Sequence, residues 1–552
     1  MLGAKLAGKQ ATIRDFFLGG RKLPWPAVSG SIIATEISAV TLISVPAIVY
    51  GRGGDLTYLQ LGLGAIVARL VVGLWFVRAF YEREIYSPYD YVGNRLGLPA
   101  RTVTTWLFVL GAVLGQSVRV LLTALILQLI SGIPVTASIW VIGVFAAVWT
   151  LLGGITTVIW TDVIQFFVFL IAMIAGLVFV LVDLPGGWGQ MWSVAGAAGK
   201  LRFWNLSTDP QIAFTLWAAL LGNTVMCLGA YGTDQMMAQR MFCCRGRRQA
   251  GYAIIASSVG QLIAVLASFV GLGLFAFYQR PENALAGEAL QLVSRNKDNI
   301  FPVFILQEMP AGLVGLIIAG VFAAAISSLD SALAALAQTV VSGVYRPWRE
   351  GRAGESPAGA TPDDRHYLVV SKILVVVWAL VLSAMAQVSG LALDRYGDIL
   401  NLALAMATYT WGALLAAFML AILRLNVDYR GLPWAAALSV LTVFAVTWHQ
   451  PWAMAMTMGL AAVIVLAWFV ARRHGRGTWG SFVVVLAAGV AVFLSSFNYL
   501  AAGDIRHLTV AWPWNVPIGF VVAFLVGYLV GRRSSSEPQA QASAGPRRAG
   551  GA

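Results

Sequence analysis

AGVFAAAISSLDSALAALAQTVVSGVY, residues 319–345, is apolar enough to lie in a bilayer yet carries Ser327, Ser328, Asp330 and Ser331 at its centre. On a helix, Gly320, Ala324, Ser327, Ser331, Ala335 and Gln338 form one narrow stripe. Small residues there let a neighbouring helix come close, and the hydroxyls offer oxygens to whatever lies between. A packing seam with serines bonded back to their own helix has the same pattern. Asp330 argues for more than packing, because a carboxylate at membrane depth is costly unless paired or hydrated and so marks a functional site. Hard oxygens around a small-residue helix suit an alkali cation better than a soft metal.

Outward from this stretch the whole chain is of the same kind. Of its 552 residues 59% are apolar and only 11% are charged, which excludes a soluble protein and indicates an all-α polytopic membrane protein. The net charge of +13 raises nucleic acid as a partner. Most Lys and Arg fall on one side of the expected spans, so the excess follows the positive-inside rule instead. Cys227, Cys243 and Cys244 are too few and too badly spaced for a zinc site or a disulfide framework. The four histidines sit at span ends or in loops. No cofactor and no metal chemistry based on His or Cys is expected.

In chain order, residues 1–24 are basic, lack an apolar core and read as a cytoplasmic tail. The first span, 25–50, is interrupted at Ser29-Gly30, Thr35-Glu36 and Ser38, and Glu36 makes a regular lipid-facing helix implausible. A helix broken around a site fits better, because irregular backbone at membrane depth is tolerated where it lines a cavity. Spans follow at 56–80, 103–130, 135–152 and 156–184. The sixth, 214–241, is again polar at its middle (Asn223, Thr224, Gly229, Gly232, Thr233, Asp234, Gln235) and runs into a basic cluster. The seventh is 250–278 and the opening stretch is the eighth. Six more follow (367–390, 398–423, 432–448, 452–471, 480–498, 514–531), and the tail from Arg532 has a disordered composition. The count is about 14 spans with both termini inside. Interrupted spans one and six hold corresponding places in two groups of five, the pointer to an inverted-repeat transporter with its site at the midplane. The organisation expected is a core over 25–425, additional C-terminal transmembrane helices over 426–531, and a tail over 532–552.

Four stretches resemble the sodium:solute symporter family, the group of the sodium/glucose and sodium/proline cotransporters. They are DFFLGGRKLPWPAVSGSIIATEISAVTLISVPA, GGITTVIWTDVIQ, YGTDQMMAQR and GVFAAAISSLDSALAALAQTVVSGVY. They cover the first ten spans in order and at family-like spacing. The resemblance implies a five-plus-five inverted-repeat, LeuT-like core, alternating access and sodium-driven uptake, as in a bacterial-type member. Carried over position by position, it puts sodium on the carbonyls of Ala34, Ile37 and Ala324 and the hydroxyls of Ser327 and Ser328. A second sodium position, found in some members, falls on Asp162, Ser327, Asp330 and Ser331. Without a second ion, Asp162 reads as a helix N-terminal carboxylate stabilised by the dipole.

Departures from the family pattern bear on the substrate. The leading span that most members carry before FFLGGR is not in this chain, through a truncated start or a real lack of that helix. Leu228, Gly229, Ala230 and Tyr231 stand where the sugar branch has its aromatic gate, and Leu404 stands where that branch has a glutamine. Sugar is therefore demoted. Glu36, Ser38, Thr41, Gln60, Arg119 and Gln261 are the residues expected to line a midplane pocket. Arg119 lies too deep to snorkel and needs an anion: Glu36, Asp330 or a substrate carboxylate. The sialic-acid branch resembles this pattern, with a third-span arginine and a second-span glutamine. Arg69 is deep as well and receives no role.

The function expected is sodium-coupled symport of a small carboxylate (sialic acid, monocarboxylate or amino acid) across the cell (inner) membrane. The partners expected are a small-molecule solute, the sodium ion and the lipid bilayer, with no nucleic acid and no obligate protein partner. Proton-coupled or uncoupled transport with Glu36, Asp162 or Asp330 titrating is the alternative. A membrane enzyme would need acidic or His motifs clustered in one interfacial loop, and a transporter-like sensor would need a signalling domain. Neither feature is visible.

Overall fold

The computed structural model describes residues 18–532 apart from 38, 83–84, 86, 153–154, 353–363, 392–398, 449, 472–477 and 502–509. Among the described residues, eleven helices are long and apolar enough to cross a membrane, and one bent pair, Trp25–Glu36 with Val40–Tyr50, makes a twelfth span. Two shorter apolar helices, Val135–Leu151 and Ala218–Gly232, stand where the fourth and sixth spans were expected. Those two are the difference from the count of about 14 read by hydropathy. The expected places are kept below as spans 1–14.

Span 1 is two helices, Trp25–Glu36 and Ala39–Tyr50. Ile37 turns extended between them (φ −80°, ψ 112°), which releases the carbonyls around the break from the helical ladder. Span 6 breaks in the same manner. Its first part, Thr224–Gly232, ends at Thr233, and Asp234 caps the second part, Gln235–Phe242, by accepting from the Met236 amide at 2.8 Å. Gly232 is required at that break, since a Cβ there would lie 2.4 Å from the Phe76 ring. The Thr233 carbonyl, left over at the break, accepts from the Tyr89 hydroxyl at 3.0 Å.

Span 8 is Ala311–Val340 and span 5 is Ile155–Asp183. The stripe on span 8 does what its small residues suggest: a Cβ on Gly320 would meet Ala172 of span 5 at 2.9 Å. Span 5 also lies against the first half of span 1, with Val163 3.2 Å from where a Gly30 Cβ would be. Spans 1, 5 and 8 thus converge at the break of span 1.

One expectation of organisation changes, at the end of the N-terminal segment. This end is not a tail: Leu18 and Leu23 are buried, the Leu23 amide bonds to the Cys243 carbonyl at 3.1 Å, and Arg21 donates to the Ile85 carbonyl. An apolar pair spaced five apart within a basic run hides this from composition. The last span, Asn515–Gly531, returns to span 10, Ile399–Ile422, where Asn515 donates to Thr408 at 3.0 Å and Trp512 to Asn401 at 2.7 Å. Residues 1–17 and 533–552 lie outside the described residues.

Candidate functional site

The eighth-span hydroxyls meet the broken first span. Ser327 Oγ is 3.4 Å from the Ala34 carbonyl, and Ser328 Oγ is 3.3 Å from the Thr35 carbonyl and 3.2 Å from that of Ala324. Ala34, Ala324, Ser327 and Ser328 therefore come together, with Ile37 at the turn that opens the helix. Ser327 Oγ is also 2.6 Å from Asp162 Oδ1, and the single hydroxyl hydrogen belongs on that shorter, charge-assisted bond. Its lone pairs are then free to face the Ala34 side.

Behind this cradle lies a closed ionic network. Asp162 Oδ2 accepts from Ser31 at 2.5 Å and from Arg240 at 2.9 Å, and Arg240 also donates to Ser31 and to the Met236 carbonyl. Arg240 reaches Ser331 as well. Both charged side chains are essentially without solvent contact, at 1% and 0% exposure. The sequence placed Arg240 in a basic cytoplasmic cluster and paired Asp162 with the helix dipole or a second ion; the actual partner is this arginine. Asp330 is the exception in the network. Its Oδ1 has a 3.2 Å contact from Ser331, whose hydrogen is better placed on the Ser327 carbonyl at 2.6 Å, and its buried Oδ2 has no donor among the described residues.

On the other side of the break is a cavity of about 330 Å³. Glu36, Arg119, Tyr231, Asp234, Gln261 and Trp411 line it, with Phe203 and Trp512 contributed by outer segments. Its size falls within the range of small-molecule sites, and its wall is mostly apolar and aromatic with a few convergent polar groups. Thr41 borders an adjoining cavity shared by Glu36, Arg119 and Gln261.

Glu36 pairs with Arg69, the arginine given no role from sequence, and accepts from Tyr231 at 2.7 Å and Gln261 at 3.3 Å. Arg119 pairs with neither Glu36 nor Asp330. Among the described residues it has no salt bridge, and its one hydrogen bond goes to the Thr35 carbonyl at 3.3 Å.

Gln60 does not line the cavity. Its amide is committed to the Thr57 and Phe214 carbonyls and to the Asn205 amide, so it ties the loop between spans 5 and 6 to span 2. A one-residue offset on a helix start decides this, and periodicity does not resolve it. Ser38 lies outside the described residues. The same loop is held by Arg202 to Asp55 at 2.7 Å and by buried Lys200, whose ammonium shares its three N–H groups among the carbonyls of Val49, Tyr50, Gly51 and Gly54 at 2.7–3.1 Å.

Comparison with known proteins places this geometry. The sodium:solute symporter family model matches residues 16–439. The human sodium/iodide cotransporter is 28% identical over 420 residues, covering 75% of this chain and 61% of the relative. The human sodium-coupled monocarboxylate transporter 1 is 29% identical over 419 residues, 75% of this chain and 65% of the relative. The sodium-dependent multivitamin transporter of Oryctolagus cuniculus is 28% identical over 410 residues, 74% and 61%. The chain thus spans about 61–65% of the length of these relatives. A solved structure of a Na+-coupled sialic acid symporter, substrate-bound and outward-open, shares the fold with a TM-score of 0.71 at 22% identity. It covers 95% of this chain and 93% of that one. The five-plus-five architecture is therefore a shared one, and with the family model spanning both broken helices and the eighth-span stripe, this chain belongs to the sodium:solute symporter family.

Proposed function

We propose that this protein is a secondary transporter that couples inward sodium movement to uptake of a small organic carboxylate by alternating access. One observation carries the reading: hydroxyls of span 8 and carbonyls freed at the break of span 1 sit 3.3–3.4 Å apart, beside a cavity containing an arginine with no salt bridge among the described residues. Such oxygen–oxygen separations are the edges of a polyhedron around a small hard cation. Sodium is held by Ala34, Ile37, Ala324, Ser327 and Ser328. Arg119 receives the solute carboxylate, with Glu36, Thr41 and Gln261 around it. Because the cation and the solute flank the same break, filling one site favours the span 1 geometry that the other needs, which is the coupling.

The unpartnered oxygen of Asp330 favours a second cation beside Ser327, Ser331 and Asp162. Arg240 already balances Asp162, so this ion rests chiefly on Asp330. The protein operates in the cell (inner) membrane with both termini cytoplasmic, and residues 25–425 form the transporting core. The test is uptake of a labelled panel of organic acids, amino acids and sugars in proteoliposomes with and without an inward sodium gradient. Acid uptake that follows the gradient is the expected result; equal uptake in potassium-only buffer rejects sodium coupling.

A further inference from the structure

Three charged side chains line the cavity at the break of span 1, Glu36, Asp234 and Arg119, and Glu36 and Arg119 are not each other's partners. Glu36 is balanced by Arg69, which is fully buried behind the wall, braced by Ser257 at 3.1 Å and lying 4.4 Å from the Tyr231 ring centroid. Donors from spans 2, 6 and 7 (Arg69, Tyr231, Gln261) hold the Glu36 carboxylate in one orientation while 22% of its side chain stays open. A carboxylate oxygen accepts two hydrogen bonds. Oε1 has both, from Tyr231 and Gln261, whereas among the described residues Oε2 has Arg69 alone. Arg119 touches the carbonyl of Thr35, the residue before Glu36, so the cation and the spare acceptor flank one peptide unit.

We propose that Glu36 Oε2 accepts a hydrogen bond from a hydroxyl carried close to the solute carboxylate, so that this transporter selects hydroxylated carboxylic acids over their unsubstituted analogues and over inorganic anions. The proposal rests on Arg119 as the carboxylate receptor. An anchored acceptor discriminates strongly, because the analogue lacking the hydroxyl dries the carboxylate without giving it a donor. A hydroxyl fits better than an ammonium. Glu36 Oε2 already faces the Arg69 guanidinium, so a hydroxyl completes it without setting a second cation against that arginine, while Asp234, the other carboxylate on the cavity wall, caps its own helix.

Isothermal titration of the purified full-length protein in sodium buffer tests this with matched pairs: lactate and propionate, 3-hydroxybutyrate and butyrate, mandelate and phenylacetate. Alanine, iodide and the methyl ester of each hydroxy acid complete the panel. The expected result is at least tenfold tighter binding of the hydroxylated member. The double change Glu36→Gln with Arg69→Gln keeps the net charge and should reduce that ratio below threefold, while acid still outbinds ester. Equal binding within the pairs, failure of every hydroxy acid to bind, preference for alanine or iodide, or an unchanged ratio in the double variant overturns the proposal. The wild-type comparison requires no variant to fold, and Tyr231→Phe, which only loosens Glu36, is the milder second variant. Acid and ester binding alike would instead remove Arg119 from its role.

Discussion

The two faces of the span 1 break handle charge in opposite ways. On the span 5 and 8 face, Asp162 and Arg240 are sealed from solvent and bonded to each other and to serines. On the cavity face, Arg119 is half-buried and among the described residues has no salt bridge, and Glu36 is anchored but partly open. A buried pair bonded to each other and to serines holds spans 1, 5, 6 and 8 in register; a cavity-lining cation without a salt bridge among the described residues suits something that arrives and leaves. Depth in the membrane is common to both sets, so depth alone does not mark a ligand site.

Breaking the sealed face should produce the largest effect. Arg240→Met leaves Asp162 buried and unpaired, a loss of about 3–5 kcal/mol. The measurement is the melting temperature and the monodisperse yield in detergent, both of which should collapse. Asp162→Asn combined with Arg240→Gln should recover part of the loss. A single variant as stable as wild type would mean that the network is not structural.

Opening the cavity face should cost binding and spare folding. Arg119→Gln should lose on the order of 2–5 kcal/mol of acid binding with an unchanged melting temperature. Arg119→Lys should lose less, since it keeps the charge without the two-point geometry. Sodium affinity without solute should change little. Titration of both variants checks this, and wild-type affinity in Arg119→Gln would make the residue a bystander.

Between the faces, Ser327→Ala removes an oxygen that both sides use. It should lower sodium affinity by roughly 1–3 kcal/mol, raising half-saturation about tenfold or more. Sodium-dependent uptake measures it, and an unchanged sodium dependence would place the ion elsewhere.

The smallest effect should come from Tyr231→Phe, which deletes one hydrogen bond to Glu36 and keeps the ring under Arg69. A loss of about 1 kcal/mol in solute affinity, with little change in melting, is expected. A large fall in stability instead would move Glu36 and Arg69 into the sealed class.

Much of this was legible in the sequence because it is local. Run length gave most of the spans, Glu36 and the Thr233-Asp234 pair marked the breaks, and the 3.6-residue stripe predicted the close approach at Gly320. Partner choice was not legible. Arg240 is four residues after Met236 on a short buried helix, yet in sequence it merges with Arg245, Arg247 and Arg248. Arg69 and Glu36 are 33 residues apart, and nothing in either span names the other. Gln60 failed for the same reason: its partners lie 145 and 154 residues away, in a loop that composition reads as filler.

The lysine of that loop has a mechanical consequence. With its ammonium seated on four carbonyls at and just past the C-terminal end of span 1, and Arg202 on Asp55 just beyond, the loop and the second half of the span are riveted into one jaw. A jaw fastened at its tip does not flex there. Any swing of the second half of span 1 must then be taken up at its root, at Ile37 beside the proposed sodium cradle, so that the hinge and the proposed ion share one address.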